Sequence, residues 1–259
     1  MLEAVIMLIW GHVNVGDALY FPTDRDYAYR LFEALHRSDY TLDPAYIESW
    51  AAANGWADEG GAALRDVAQA VLLGKHGDAE PVSVEGLDQM RWFAWGVQMG
   101  REATENARQH SLDSKFVLEA VLVLIHNQVY VNDALFHPND RGYAYRLLQA
   151  VRRSEMLQDL PDSLGRNCCC FHDLRRSDYT LDPTYIERWA AANGWSPKGA
   201  VNLREVAQDV LAGKTLRRIG DARPIPLKYV EWFVLGVRKD REVMEKARQP
   251  STSDDRGRS

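Results

Sequence analysis

The sequence predicts a mainly α-helical protein with a small β component, an α+β fold arranged as a tandem duplication. The stretch Ser38–Trp56, SDYTLDPAYIESWAAANGW, returns almost letter for letter at Ser177–Trp195. Most segments between these stretches carry apolar residues at helical spacing, whereas the opening of each copy alternates with a period of two. Each unit of about 110 residues is therefore predicted to hold a short β-hairpin followed by four helices.

The predicted hairpins cover Leu2–Pro22 and, 116 residues later, Leu118–Pro138. Two-residue turns at Gly11-His12 and Asn127-Gln128 suit the primed turn types, which favour glycine or asparagine at the first position. The period-two pattern and the β-branched residues favour a strand pair, although a short apolar run also fits a helix. In each hairpin the turn would place four apolar residues on one face. These are Ile6, Leu8, Val13 and Val15 in the first copy and Leu122, Leu124, Val129 and Val131 in the second.

The first helix of each copy is predicted to begin near Thr23 and near Asn139. The second, which we call the anchor helix, begins after Asp43, whose carboxylate caps free backbone N–H groups, with Pro44 at the first helical position. Gly55 marks a left-handed C-terminal cap, so the helix ends at about Asn54. Trp56 follows this glycine and is predicted to pack back onto the last turn.

The third helix has its apolar residues at i, i+3, i+4, i+7 and i+8 and ends at Gly74, with its copy ending at Gly213. The fourth runs from about residue 83 to 109 and, in the copy, from about 226 to 249. Its first half is apolar around most of its circumference, as in a buried helix. Its second half is polar and is predicted to project into solvent or to bridge the repeats.

The duplication divides the chain into repeat 1, residues 1–110, and repeat 2, residues 111–249. Repeat 2 carries an insert at 155–177, predicted to be an exposed loop, and residues 250–259 are predicted to be a disordered tail. The insert holds Cys168, Cys169, Cys170 and His172, but adjacent cysteines do not readily converge on one tetrahedral ion. We therefore predict no metal site there.

Charge differs between the two halves of the chain. Residues 1–110 hold 8 Lys and Arg against 17 Asp and Glu, and residues 111–259 hold 23 against 20. The net charges of −9 and +3 favour docking of the halves or head-to-tail self-association. An acidic chain with no basic stripe in both repeats indicates no nucleic-acid partner.

The opening MLEAVIMLIW has no basic n-region and is too short to span a bilayer, so neither a signal peptide nor a membrane helix is predicted. All three cysteines are adjacent, which offers no disulfide framework and fits a reducing compartment. A cytoplasmic protein is therefore expected.

The two copies also limit the chemistry. None of the seven histidines has a histidine at the equivalent position of the other copy, which excludes a histidine-based site common to both repeats. No nucleophile elbow and no glycine-rich phosphate loop is present. Consequently, we predict no catalytic residue, no metal and no cofactor.

The leading hypothesis is a non-catalytic interaction module that binds a protein partner or associates with itself. The alternative is an enzyme or small-molecule-binding protein with an aromatic and acidic pocket between the first helix, the anchor helix and the last helix. The candidate binding residues are Tyr29, Arg30, Asp39, Tyr40 and Trp92, with their copies Tyr145, Arg146, Asp178, Tyr179 and Trp232.

Overall fold

The computed structural model describes residues 1–12, 22–75, 82–110, 115–129, 138–158, 180–214 and 224–248. All regular secondary structure in these ranges is α-helical. The helices in chain order are α1 (Leu2–His12), α2 (Pro22–Arg37), α3 (Pro44–Ala53), α4 (Asp58–Leu72), α5 (Val84–His110), α6 (Phe116–Gln128), α7 (Pro138–Gln158), α8 (Pro183–Ala192), α9 (Pro197–Leu211) and α10 (Leu227–Arg248).

The predicted β-hairpins, and with them the α+β class, are wrong. The segments assigned to their first strands are helices α1 and α6, and the predicted turn residues Gly11-His12 and Asn127-Gln128 lie at the ends of these helices. Every residue from Ala4 to Ile9 and from Val117 to Ile125 is buried. A helix surrounded on all sides is apolar around its whole circumference. Every second residue of such a helix is therefore apolar as well, and a period-two pattern within it does not distinguish a strand from a helix.

The predicted anchor helix is confirmed in both repeats as α3 and α8. Asp43 Oδ1 accepts from the backbone N–H groups of Ala45 at 3.0 Å and Tyr46 at 3.1 Å, and Asp182 caps α8 in the same way. Gly55 has a φ of 78°, in the left-handed region that glycine adopts without steric cost. The Trp56 N–H then donates to the Ala51 carbonyl at 3.0 Å, and the Trp56 side chain is buried as predicted.

The other predicted helices are also present. The predicted first helix is α2 in repeat 1 and α7 in repeat 2. The predicted third helix is α4 in repeat 1 and α9 in repeat 2. The apolar faces of α4 and α9 are buried, and left-handed glycines follow these helices at positions 74 and 213. The fourth is α5 or α10. Most of the insert, residues 159–177, and the tail at 250–259 lie outside the described residues.

Two compact units make up the fold, and their boundaries differ from those of the sequence repeats. Unit 1 comprises Met1–Met90 and Arg238–Ser259, and unit 2 comprises Arg91–Val237. In unit 1, α2 and α3 pack on α4, and α1 packs on α2 and α3; in unit 2, α7 and α8 pack on α9, and α6 packs on α7. The end of α10 thus belongs with the helices of repeat 1, and the larger part of α5 belongs with those of repeat 2.

A helix able to cross a membrane needs a long and almost uncharged apolar stretch. None of the helices in the described ranges has one.

Candidate functional site

Tyr29 and Arg30 lie on α2 in unit 1. Tyr29 is half-buried and lines a cleft of about 200 Å³ between α2 and the end of α4, whereas Arg30 is exposed and is not among the lining residues. An ion pair of 2.5 Å between Arg37 and Glu33 forms part of the wall. The full lining consists of Tyr29, Glu33, His36, Arg37, Val71, Leu72, Gly74 and Lys75.

Asp39 and Tyr40 form the turn that follows α2. Asp39 has a φ of 62°, and its N–H donates to the carbonyl of His36 at 3.3 Å. Aspartate is one of the few residues besides glycine that adopts this left-handed conformation. Burial raises the pKa of the Tyr40 phenol. Neither residue lines the cleft beside Tyr29.

The copies in repeat 2 have different surroundings. Tyr145 is buried, its hydroxyl donates to the backbone carbonyl of Lys214, and burial raises its pKa. Tyr145 therefore contacts the turn that follows α9, and Lys75, the counterpart of Lys214, lines the Tyr29 cleft. The Nε of Arg146 donates to the Gly142 carbonyl at 3.3 Å within α7. The predicted sites Asp178 and Tyr179 lie outside the described residues.

Trp92 and Trp232 both belong to unit 2, where they take part in aromatic packing. The Trp92 ring stacks on Tyr229, with centroids 6.0 Å apart and planes 11° apart, and meets Trp95 edge to face at 5.3 Å. Trp232 meets Phe93 edge to face at 6.1 Å. Tyr29 and Asp39, with which Trp92 was predicted to share a pocket, belong to unit 1.

A tyrosine–glutamate pair that the sequence reasoning missed occurs in both repeats. The Tyr46 hydroxyl of α3 donates to Glu3 Oε1 of α1, and the Tyr185 hydroxyl of α8 donates to Glu119 Oε1 of α6. The signal for this pair was present in the sequence, because Glu3 recurs after 116 residues and Tyr46 after 139. It was missed because the segments holding the two glutamates were assigned to strands.

The two pairs differ in burial. Glu119 is fully buried and Tyr185 is 2% exposed, whereas Tyr46 is 39% exposed. Burial raises the pKa of Glu119 to about 7, because a low-dielectric environment disfavours the carboxylate. In unit 1, the hydrogen bond to Glu3 raises the pKa of Tyr46 to about 12.

A lysine completes the arrangement in unit 2. The Lys115 ammonium lies 2.9 Å from Asp182 Oδ2 and 5.2 Å from the centroid of the Tyr185 ring. Its hydrogen bond lowers the pKa of the Asp182 carboxyl. The capping carboxylate of α8 and the ring one turn later thus form a binding site for an ammonium group.

Metal ligation finds no support in the described part of the chain. No group of three or more His, Cys, Asp or Glu side chains there is arranged to hold an ion. Cys168–Cys170 and His172, where no metal site is predicted, lie outside the described residues.

Comparison with known proteins identifies a family. A family model described as "Domain of unknown function (DUF1889)" matches residues 2–90 and 169–231, which together make up more than half of the chain. The first segment ends at Met90, where the first segment of unit 1 also ends, and the second covers α8, α9 and the beginning of α10. No curated protein and no solved structure matches the chain. The chain therefore belongs to the family of this domain of unknown function, DUF1889.

Proposed function

We propose that this protein is a non-catalytic interaction module whose repeats are built to associate with one another and with a protein partner. The observation that carries the proposal is an exchange of helix segments between the repeats. The end of α10, from repeat 2, belongs to unit 1, and the larger part of α5, from repeat 1, belongs to unit 2. Such an exchange makes each repeat a binding partner for a related sequence.

The first side of the exchange lies in unit 1, where the end of α10 packs on α1. The Lys246 ammonium lies 3.8 Å from the centroid of the Trp10 ring and 3.6 Å from Met7 Sδ. Val243 is buried, and Lys239, also buried, forms an ion pair of 2.8 Å with Glu242. The polar second half of α10 is thus a packing surface for the first helix of repeat 1.

The second side lies in unit 2, where the second half of α5 packs on α6. Asn127 Nδ2 donates to Glu102 Oε2 at 3.1 Å and lies 3.4 Å from Met99 Sδ. Met99 and Ala103 belong to the same buried cluster as the apolar residues of α6. The last helix of repeat 1 therefore completes a core that repeat 2 supplies.

Helices α5 and α10 also meet in unit 2 at two glycines, in a reciprocal way. A β-carbon added at Gly96 would overlap the carbonyl oxygen of Phe233, and one added at Gly236 would overlap the carbonyl oxygen of Phe93. Only glycine permits so close an approach of two backbones. This reciprocity is what two copies of one sequence produce when they pair around a twofold axis, and it supports self-association as the original use of the repeat.

A second candidate function, binding of a small molecule, is favoured by the cleft beside Tyr29. Its volume of about 200 Å³ lies below the roughly 300 Å³ at which ligand pockets usually begin. At the equivalent place in repeat 2, Tyr145 is buried and bonded to the Lys214 carbonyl. A pocket common to both repeats therefore has less support than the exchanged helices.

For the compartment we propose the cytoplasm, since the adjacent cysteines suit a reducing environment.

The decisive experiment is to express residues 1–110 and 111–259 as separate chains, with an affinity tag on the first only. If the repeats are association modules, the untagged fragment should copurify at a 1:1 ratio, because each fragment holds a helix end that completes a unit in the other. Size-exclusion chromatography with light scattering would give the stoichiometry.

Glycine variants provide the matched control for this experiment. Gly96→Ala or Gly236→Ala should reduce recovery of the untagged fragment severalfold, since the added β-carbon would lie 1.9 Å or 2.1 Å from a backbone carbonyl oxygen. Gly61→Ala should leave recovery unchanged, because its added carbon would lie 3.4 Å from the Ala51 β-carbon, an ordinary contact distance. Two folded fragments that remain separate at micromolar concentration would contradict the proposal.

A further inference from the structure

The two helix ends that the repeats exchange differ in the residues that meet their partner helices. The second halves of α5 and α10 correspond at an offset of 140 residues, and α1 and α6 correspond at an offset of 116. Both helix ends carry a glutamate, but the residue one turn before it and the facing residue of the first helix are not the same. These residues are Lys239, Glu242 and Gly11 in unit 1, and Met99, Glu102 and Asn127 in unit 2.

In unit 1, the glutamate receives a hydrogen bond from its own helix. The Lys239 ammonium donates to Glu242 Oε2 at 2.8 Å, and Lys239 is only 7% exposed. A β-carbon added at Gly11 would lie 3.6 Å from the Lys239 nitrogen. The ammonium therefore lies against the position at which a side chain of α1 would begin, and Gly11 leaves the space that the lysine uses.

In unit 2, the equivalent glutamate receives this hydrogen bond from the facing helix. Asn127 Nδ2 donates to Glu102 Oε2 at 3.1 Å, and the same amide lies 3.4 Å from Met99 Sδ. Methionine offers no donor, so Asn127 supplies the hydrogen bond that Lys239 supplies in unit 1. The other oxygen, Oε1, accepts from Gln98 of the same helix.

A mismatched pairing would disturb this arrangement in one of two ways. A helix end with lysine against a helix with asparagine would crowd an ammonium and an amide around one carboxylate oxygen. A helix end with methionine against a helix with glycine would remove the donor from that oxygen, and losing a hydrogen bond to a charged, partly buried group is costly. The backbone contact at Gly96 and Gly236 is reciprocal, so it does not discriminate between pairings.

A second lysine distinguishes the same two helix ends. The Lys246 ammonium lies 3.8 Å from the centroid of the Trp10 ring, and tryptophan is the side chain that attracts a cation most strongly through its ring. In unit 2 the corresponding residues are Asn106, which is neutral, and His126, whose Nδ1 accepts from Trp195. The cation–π contact is therefore specific to the pairing of α10 with α1.

We propose that pairing between the repeats is selective, an inference that rests on the association function proposed above. Lys239 and Gly11 are the specificity-determining residues in unit 1. Met99 and Asn127 have the same role in unit 2. The end of α10 accepts α1 and rejects α6, whereas the end of α5 accepts α6 and rejects α1. When two copies of the chain associate, repeat 1 of one copy therefore takes repeat 2 of the other, and like repeats do not pair.

The intact chain allows a test, because one substitution in unit 1 produces each mismatch. Gly11→Asn places the asparagine of α6 opposite the lysine, and Lys239→Met places the methionine of α5 opposite glycine. Each single variant should lower the midpoint of thermal unfolding by about 4–8 °C. The double variant holds the combination found in unit 2, and its midpoint should return to within about 2 °C of wild type. Circular dichroism measures all three.

The reverse exchange in unit 2 is the matched control. Asn127→Gly and Met99→Lys should each lower the midpoint, and the double variant should recover it, because it holds the combination found in unit 1. Single variants as stable as wild type, or additive losses in either double variant, would overturn the selectivity.

These outcomes differ from a failure of the association itself. The midpoints are measured in the intact chain, so they do not depend on whether the separated repeats copurify. Fragments that stay apart would contradict the association, whereas additive losses in the double variants would remove only its selectivity.

Discussion

The two repeats place the same tryptophan in different hydrogen-bonding situations. In repeat 2, Trp195 Nε1 donates to His126 Nδ1 at 2.8 Å. In repeat 1, the equivalent Trp56 Nε1 is buried and has no partner in the described part of the chain. Position 10 of repeat 1, which corresponds to His126, is a tryptophan, and an indole offers no acceptor. Trp10 instead meets Trp56 edge to face at 6.1 Å.

The anchor helices show the same divergence. Trp189 of α8 is 1% exposed, whereas its counterpart Trp50 in α3 is only partly buried. The tyrosine–glutamate pair is likewise buried in repeat 2 and exposed in repeat 1. The nearly identical anchor sequences therefore form the same caps and helix ends, because capping depends on neighbouring residues. The burial of each anchor helix depends instead on the residues that pack against it. Equivalent substitutions in the two repeats should accordingly have unequal effects.

The largest difference is expected at the anchor tryptophans. Trp189→Ala should lower the free energy of unfolding by about 3–5 kcal/mol, because it leaves a cavity in a packed core. Trp50→Ala should cost less than half as much, since part of its ring already contacts solvent. Denaturant unfolding monitored by circular dichroism measures both; equal costs would show that the difference in exposure has no energetic consequence.

The second comparison concerns pH. The pKa of Glu119 is raised from 4.5 to about 7 by burial, so the folded state favours the protonated form. This contribution to stability is fully present below pH 4.5 and is lost as pH rises to about 7, a change of about 3 kcal/mol at most.

Glu119→Gln should flatten the pH dependence of the unfolding free energy between about pH 4.5 and 7. The variant should keep the acceptor for the Tyr185 hydroxyl. Glu3→Gln makes the same substitution at the exposed pair and is measured in parallel. A wild-type slope in Glu119→Gln would assign the titration to another group.

The smallest effect is expected at His126. His126→Phe keeps an aromatic ring but removes the acceptor for Trp195 Nε1, which leaves that indole as unpaired as Trp56. A buried donor without a partner costs about 1–3 kcal/mol. Thermal unfolding should be compared between His126→Phe and His126→Asn. The asparagine variant retains an acceptor but loses the ring, so the comparison separates the two losses. Equal destabilisation of the two variants would contradict a role for the hydrogen bond.

The sequence allowed correct prediction of those parts of the fold that depend on neighbouring residues. Asp43, Pro44 and Gly55 marked the anchor helix because caps act within one turn. The strand assignment of α1 failed because a run such as Ala4–Ile9 has no polar face from which a period can be determined. Only the packing of other helices around it shows that it is helical.

The candidate site was less accessible from sequence. The predicted residues recur in both copies, but recurrence does not show where a side chain lies. Tyr29 and Trp92 belong to different units, which no spacing rule indicates, because α5 belongs partly to each unit. The Tyr46–Glu3 pair required knowledge that both residues lie on helices that pack together.

The passage of α5 and α10 through both units affects how the protein unfolds. Each of these helices contributes residues to both compact bodies, and an α-helix propagates order along its own backbone hydrogen bonds. Unfolding of one unit therefore disorders part of a helix whose remaining residues belong to the other unit. We expect the duplicated chain to behave as one cooperative folding unit, in which a lesion confined to one repeat lowers the stability of both.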